Sequence, residues 1–132
     1  MNEVVPLYVP GNDITCAVAA DAADDRYVQG GRFVAVAGDL DGALPVVGYP
    51  VQGEGPVFGV AARDSGHGQG KVPVVRGASV ILPVAVSGPV SVGDLLEVGS
   101  RGVGVRRVAG YPVARAMQTG DGVAWKVLAE LL

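Results

Sequence analysis

Three features of the sequence predict an all-β fold: a single-domain β-sandwich or barrel of short strands with an extended N-terminal arm. Glycine accounts for 21 of 132 residues, more than twice the roughly 7% of ordinary proteins, and follows no collagen-like period. The glycines separate valine-rich runs of strand length in which apolar residues recur at every second position, the period of a pleated strand. No run carries the 3.6-residue period of a long amphipathic helix. About eight to ten short runs punctuated by glycine turns is the pattern of a sandwich or barrel. With no shift of composition along its length, the chain divides only into an arm, residues 1–12, and one β-rich domain, residues 13–132.

The most apolar stretch, residues 71–86, reads KVPVVRGASVILPVAV. Val72 and Val74 share one face of a first run, and Val80, Leu82, Val84 and Val86 share one face of a second. Ile81, Pro83 and Ala85 are apolar too, which predicts a strand covered on both faces. Pro73 and Pro83 lack a ladder donor and predict edge positions, strand starts or bulges at those points.

The remaining elements follow in order. Residues 1–12 hold Val4, Val5, Leu7, Tyr8 and Val9 between Pro6, Pro10 and Gly11, an extended apolar arm that packs either on its own domain or on a neighbour. Residues 13–20 form a strand with Ile14, Cys16 and Val18 on one face, although the alanines make a short helix the competing reading. Residues 21–31 are a polar loop, and residues 32–37 a strand between Gly30-Gly31 and Gly38. Residues 39–55 alternate turn residues with valine pairs, as a hairpin or ordered loop. Further strands are expected at residues 57–62, 95–98, 103–108, 112–117 and 123–132. In the last, Trp125, Val127 and Ala129 share one face.

Composition excludes several functions. The longest apolar run, residues 80–86, is far short of the ~18 residues that suggest a membrane-spanning helix. Met1-Asn2-Glu3 opens no basic n-region, so no secretory signal is read and synthesis in the cytoplasm is expected. A lone Cys16 in an apolar run reads as a buried small hydrophobe. With His67 the single histidine, no transition-metal set can be assembled. Asp21, Asp24 and Asp25 lack the spacing of a calcium loop, and Asp39 and Asp41 are turn formers. Residues 66–70 (GHGQG) lack the Lys-Ser/Thr of a phosphate-binding loop. That loop has no serine or cysteine nucleophile recognisable beside a base, and no single stretch shows the paired-carboxylate or triad pattern of an enzyme site. The turn at residues 92–98 suggests a carrier hairpin, but its counterpart at residues 116–120 has no lysine to modify. No enzyme and no cofactor are predicted.

The net charge of −3 offers no general attraction to nucleic acid. It is split along the chain: residues 1–66 hold nine acids and three bases, residues 67–132 four acids and seven bases. Complementary halves either cancel within the folded chain or suit head-to-tail contact between copies. The basic cluster Arg101, Arg106, Arg107 and Arg115 has few aromatics to interleave. It fits an acidic protein surface, such as residues 21–25 of a neighbouring copy, better than phosphates.

Several motifs then line up in order: Tyr8, Pro10-Gly11 and Asp13-Ile14-Thr15; Gly30-Gly31-Arg32-Phe33-Val34; Val57-Phe58-Gly59-Val60-Ala61; Lys71-Val72 with Val74-Val75-Arg76-Gly77; Val92-Gly93-Asp94-Leu95; and the closing run 123–132. Together the chain resembles a tailed-bacteriophage capsid decoration (cement) protein of the small β-rich head-protein family. Residues 21–26 and 40–56 depart from that pattern. The resemblance implies a non-enzymatic virion protein, made in the host bacterial cytoplasm. It would bind the major capsid protein on the outside of an expanded shell as a homotrimer at local threefold axes, with no direct contact to nucleic acid or membrane. Val4, Val5, Leu7, Tyr8, Val9, Arg106 and Arg107 are the expected contacts with capsid or neighbouring subunit. The alternatives are another virion or tail β-module, or a small domain that binds a sugar or peptide. The last would need an aromatic platform, and only Trp125, four tyrosines and two phenylalanines are available for it.

Overall fold

A computed structural model describes residues 13–19, 28–65, 70–123 and 125–132. The described residues form β1 (Asp13–Val18), β2 (Phe33–Asp41), β3 (Leu44–Gly48), β4 (Gly59–Ala61), β5 (Lys71–Val75), β6 (Ile81–Ala85), β7 (Pro89–Val90), β8 (Leu95–Val98), β9 (Gly104–Arg106), β10 (Ala114–Ala116), β11 (Gly120–Asp121) and β12 (Lys126–Leu131). Among them the single helical element is a 3-10 turn, Ser100–Gly102. The fold is all-β, as the alternation predicts.

Strands β1–β5 close into a barrel in the order β1-β3-β2-β4-β5, and β6-β12-β10-β8-β9 form a five-stranded sheet. An isolated bridge between Val86 and Gly104 draws the two edges of that sheet together, and β7 and β11 pair separately. β1 and β3 are parallel; every other strand pair in the barrel and in the sheet is antiparallel.

Side-chain alternation gives this arrangement two cores. Cys16, Val18, Val34, Val47, Ala61, Val72 and Val74 fill the barrel. Phe33 and Val60, from the same barrel strands, point the other way and join Val84, Leu96, Val98, Val127 and Leu131 in a second core, with Val75 packed against it. The wall β2-β4-β5 therefore serves both cores, because successive residues of a strand face opposite sides. Two backbone bonds tie the halves at one glycine: the Gly31 N–H donates to Ala61 O at 2.8 Å, and Gly31 O accepts from the Ala85 N–H at 2.7 Å. At Gly104 an added Cβ would lie 3.3 Å from Phe33 Cε2, so the missing side chain leaves room for that ring. Cys16 is fully buried, and its burial pushes the thiol pKa up.

Several expectations need correction. β2 does not end at residue 37 but runs to Asp41 and forms a hairpin with β3, with register shifts after Val36 and Gly38. Residues 57–62 shorten to a three-residue strand. β6 is not covered on both faces, since Pro83 is exposed. Pro83 does sit on an edge strand, but Pro73 lies in β5, flanked by β1 and β4. It is tolerated there because β4 has ended: the Ala62 N–H bonds Pro73 O at 2.9 Å, and no further strand residue stands opposite to need a donor. Trp125 does not share the buried face of Val127 and Ala129. It precedes β12 and is 63% exposed. Residues 1–12, the acidic loop at 21–25 and His67 lie outside the described residues.

Candidate interaction surface

β2 is the longest strand at nine residues, and only its first two are buried. β4 pairs with it at Phe33 and Val34 alone, whereas β3 follows it to Asp41. Arg32 and Val34 turn their carbonyls toward the β4 side, accepting from the Ala61 N–H at 3.0 Å and the Phe58 N–H at 2.8 Å. Val36 continues this alternation, so its backbone polar groups face the side that β4 has left. Val36 is 65% exposed and Leu40 66% exposed. An open edge of this kind invites pairing with another chain. The bulges and the charges of Asp39 and Asp41 restrict such pairing to the part nearest the barrel.

Along that edge lies a groove of about 310 Å³ between Val36 and Val51, with Pro50 and Pro56 in its lining. Pro56 also lines a smaller depression of about 70 Å³ beside Tyr111 and Leu132. Val57, Val113 and Leu132 continue into a third, of about 140 Å³, which ends at Arg76. Neighbouring depressions share lining residues, so the three lie side by side as a segmented trough from the barrel edge toward the five-stranded sheet. Among the described residues, the charged side chains that line it are Glu54, near one end, and Arg76, near the other. Arg76 is fixed, with Nε donating to Phe58 O at 2.8 Å and the guanidinium 4.1 Å from the Phe58 ring centroid.

The loop after β9 is braced into the trough wall. One carboxylate oxygen of Glu97, Oε1, accepts from the N–H groups of Val108 at 2.7 Å, Ala109 at 3.2 Å and Gly110 at 2.9 Å. The Val108 bond leads in holding this carboxyl below the usual Glu pKa, followed by that of Gly110, with smaller help from Ala109 and the nearby Arg107 charge. The Tyr111 N–H donates to Gly53 O at 2.9 Å, and the Tyr111 ring lies directly on Gly55. Tyr111 is thus a fixed, half-exposed aromatic at the middle of the trough.

Of the expected contact residues, Val4, Val5, Leu7, Tyr8 and Val9 lie outside the described residues, and Arg106 and Arg107 are exposed at the end of β9. Arg107 Nε donates to Gly110 O at 2.7 Å, so that residue braces its own loop. Arg101 stands over the Tyr49 ring, 5.4 Å from its centroid, and Arg115 donates to Gly93 O at 3.3 Å. Much of the basic cluster is therefore engaged within the chain. The trough residues Val36, Val51, Tyr111 and Leu132 were not legible as a site, since they are distant in sequence. The density of proline at positions 45, 50 and 56 was the available signal that this segment makes no continuous ladder.

Among the described residues, no group of three His, Cys, Asp or Glu could hold a metal ion, and no helix is long and apolar enough to cross a membrane. No protein-family model and no curated protein sequence matches the chain. Among solved structures, the chain is similar to the head fiber gp8.5 N base in bacteriophage phi29, with a TM-score of 0.68 over 91% of this chain and 92% of that one. The likeness is one of fold. At 18% sequence identity it extends to the arrangement of barrel and sheet across nearly the whole of both chains, and it carries no residue of one onto the other.

Proposed function

We propose that this chain is a non-enzymatic structural protein of a bacteriophage virion. It sits on the outer surface of an expanded capsid as a trimer around a local threefold axis, with the major capsid protein as its partner. The observation that carries the reading is the fold match to the head fiber base over 91% of this chain and 92% of that chain. The resemblance of the ordered sequence motifs to capsid decoration proteins supports it independently.

The trough is the surface assigned to the capsid contact. Complete burial of a Val or Leu side chain stabilises by roughly 1.5–3 kcal/mol, so Val36, Val51 and Leu132, each more than half exposed, offer about 1 kcal/mol apiece. A standard interface covers about 800 Å² on each partner, more than these side chains alone supply. The arm, residues 1–12, adds the rest by lying across the shell or a neighbouring subunit.

The test is co-sedimentation of the purified protein with expanded and unexpanded shells of the phage that encodes it, with copies per shell counted. Saturable binding to expanded shells alone, near three copies per local threefold axis, is expected. Val36→Asp and Tyr111→Ser should each weaken it without loss of fold. Absence of binding to both shell forms would refute the proposal.

A further inference from the structure

A depression of about 560 Å³, larger than any of the three that make up the trough, lies away from it, beside Trp125. Its polar and aromatic lining consists of Gln29, Arg32, Arg63, Asp64, Trp125 and Lys126. Trp125 is the single tryptophan of the chain, and 63% of it is exposed. An indole normally buries much of its surface, so one left open at a groove of ligand size is unusual. Lys126 holds its ammonium 4.3 Å from the ring centroid on one face, a cation–π contact that fixes the ring.

The floor of this groove is tightly built. The Val28 N–H donates to Ser65 Oγ at 2.8 Å, and the Ser65 N–H returns a bond to Val28 O at 2.7 Å. The Gly30 N–H donates to Asp64 Oδ1 at 2.7 Å, and the Gln29 N–H to Tyr49 Oη at 3.0 Å. At Gly30 an added Cβ would lie 2.7 Å from Arg63 Cα, so glycine lets the two segments run side by side. Among the described residues, three cations, Arg32, Arg63 and Lys126, line the groove with one carboxylate, Asp64, which accepts the Gly30 bond. In a chain of net charge −3, this is a local positive field on a preorganised frame.

An exposed indole beside hydrogen-bonding side chains suits the C–H face of a pyranose ring, and guanidinium and ammonium groups suit a carboxylate. Single-stranded nucleic acid is disfavoured, since it calls for successive aromatic platforms along a basic channel and this groove has one indole. We propose that the Trp125 groove binds an anionic sugar, one or two pyranose rings bearing a carboxylate. The indole stacks on the ring, and Arg63 and Lys126 pair with the acid. This goes beyond the capsid role and does not depend on it.

The lone tryptophan makes the site its own reporter. Intrinsic emission would be titrated with a glucuronate-containing tetrasaccharide of hyaluronan, with neutral cellotetraose, and with a short oligothymidylate. A saturable emission change in the millimolar range from the hyaluronan fragment is expected, with cellotetraose at least tenfold weaker. Arg63→Ala should raise the dissociation constant for the acidic sugar about tenfold while leaving the free protein's emission in place. Trp125→Ala, followed by calorimetry, should abolish binding with melting temperature unchanged. An unchanged emission with the acidic fragment, an equal response to the neutral one, tighter binding of the oligothymidylate, or an Arg63→Ala protein that binds as the parent does would each overturn the proposal.

Discussion

Two glycines with the same backbone demand isolate the seam between barrel and sheet. Gly102 has φ +76° and Gly42 has φ +65°, so alanine at either costs about 1–2 kcal/mol for the left-handed conformation alone. Their surroundings differ. At the tip of the β2–β3 hairpin, an added Cβ on Gly42 meets nothing within 4 Å. On Gly102, buried at the end of the 3-10 turn, it would run into the Phe33 carbonyl oxygen and lie 2.9 Å from Tyr49 Cδ1. Phe33 is fully buried in the second core, so relief means moving a packed strand, at about 1–3 kcal/mol more. Gly42→Ala is therefore expected to destabilise by about 1–2 kcal/mol and Gly102→Ala by about 2–5 kcal/mol. At about 4 °C per kcal/mol for a chain of this size, the melting temperature falls by roughly 4–8 °C and 8–20 °C respectively. Urea unfolding of both variants and the parent, checked by thermal melts, measures the difference. Equal losses in the two variants would refute the claim that the close approach at Phe33 holds the halves together.

The remaining predictions concern charge and the arm. The Glu97 pKa is depressed in the fold, so its bracing of the loop is complete above the ordinary value of 4.5 and is lost as pH falls through the depressed one. Amide shifts of Val108, Ala109 and Gly110 should move together below that value, and Glu97→Gln should abolish the acid-dependent movement. If Arg106 pairs with acids of another copy, Arg106→Glu should weaken self-association most at low salt, and analytical ultracentrifugation across ionic strength reads this. Arg107→Glu is a poorer probe, because it also removes the bond to Gly110 O. Deletion of residues 2–11 should leave a folded domain that binds shells poorly; unchanged binding would exclude the arm from the contact.

Strand positions were legible wherever alternation coincided with burial. Val72 and Val74, and then Val80, Val84 and Val86, lie on the buried faces their spacing predicts. The two-sided apolar character of the runs around Phe33, Val60 and Val75 had a cause that spacing alone does not reveal: both faces of that wall meet a core. The same pattern misled at Pro83, where an apolar residue on an edge strand is left open, and at Trp125, which stands before the start of β12 and so escapes its alternation. The trough was illegible because Val36, Val51, Tyr111 and Leu132 are brought together by tertiary packing. Composition counted Trp125 among too few aromatics for a binding platform; its cationic surroundings combine the adjacent Lys126 with Arg32 and Arg63, far from it in the chain.

The wall β2-β4-β5 also sets how the molecule comes apart. Neither core can be opened while the other stays intact, since losing the barrel strips Phe33 and Val60 from the sheet, and losing the sheet leaves those side chains facing water. Unfolding should therefore be a single concerted event in native-state hydrogen exchange. The slowest amides would cluster at residues 33–34 and 60–61, and their protection would report the global free energy of the whole chain. A load applied to either half would be resisted by the other, since both halves are built on the same three strands.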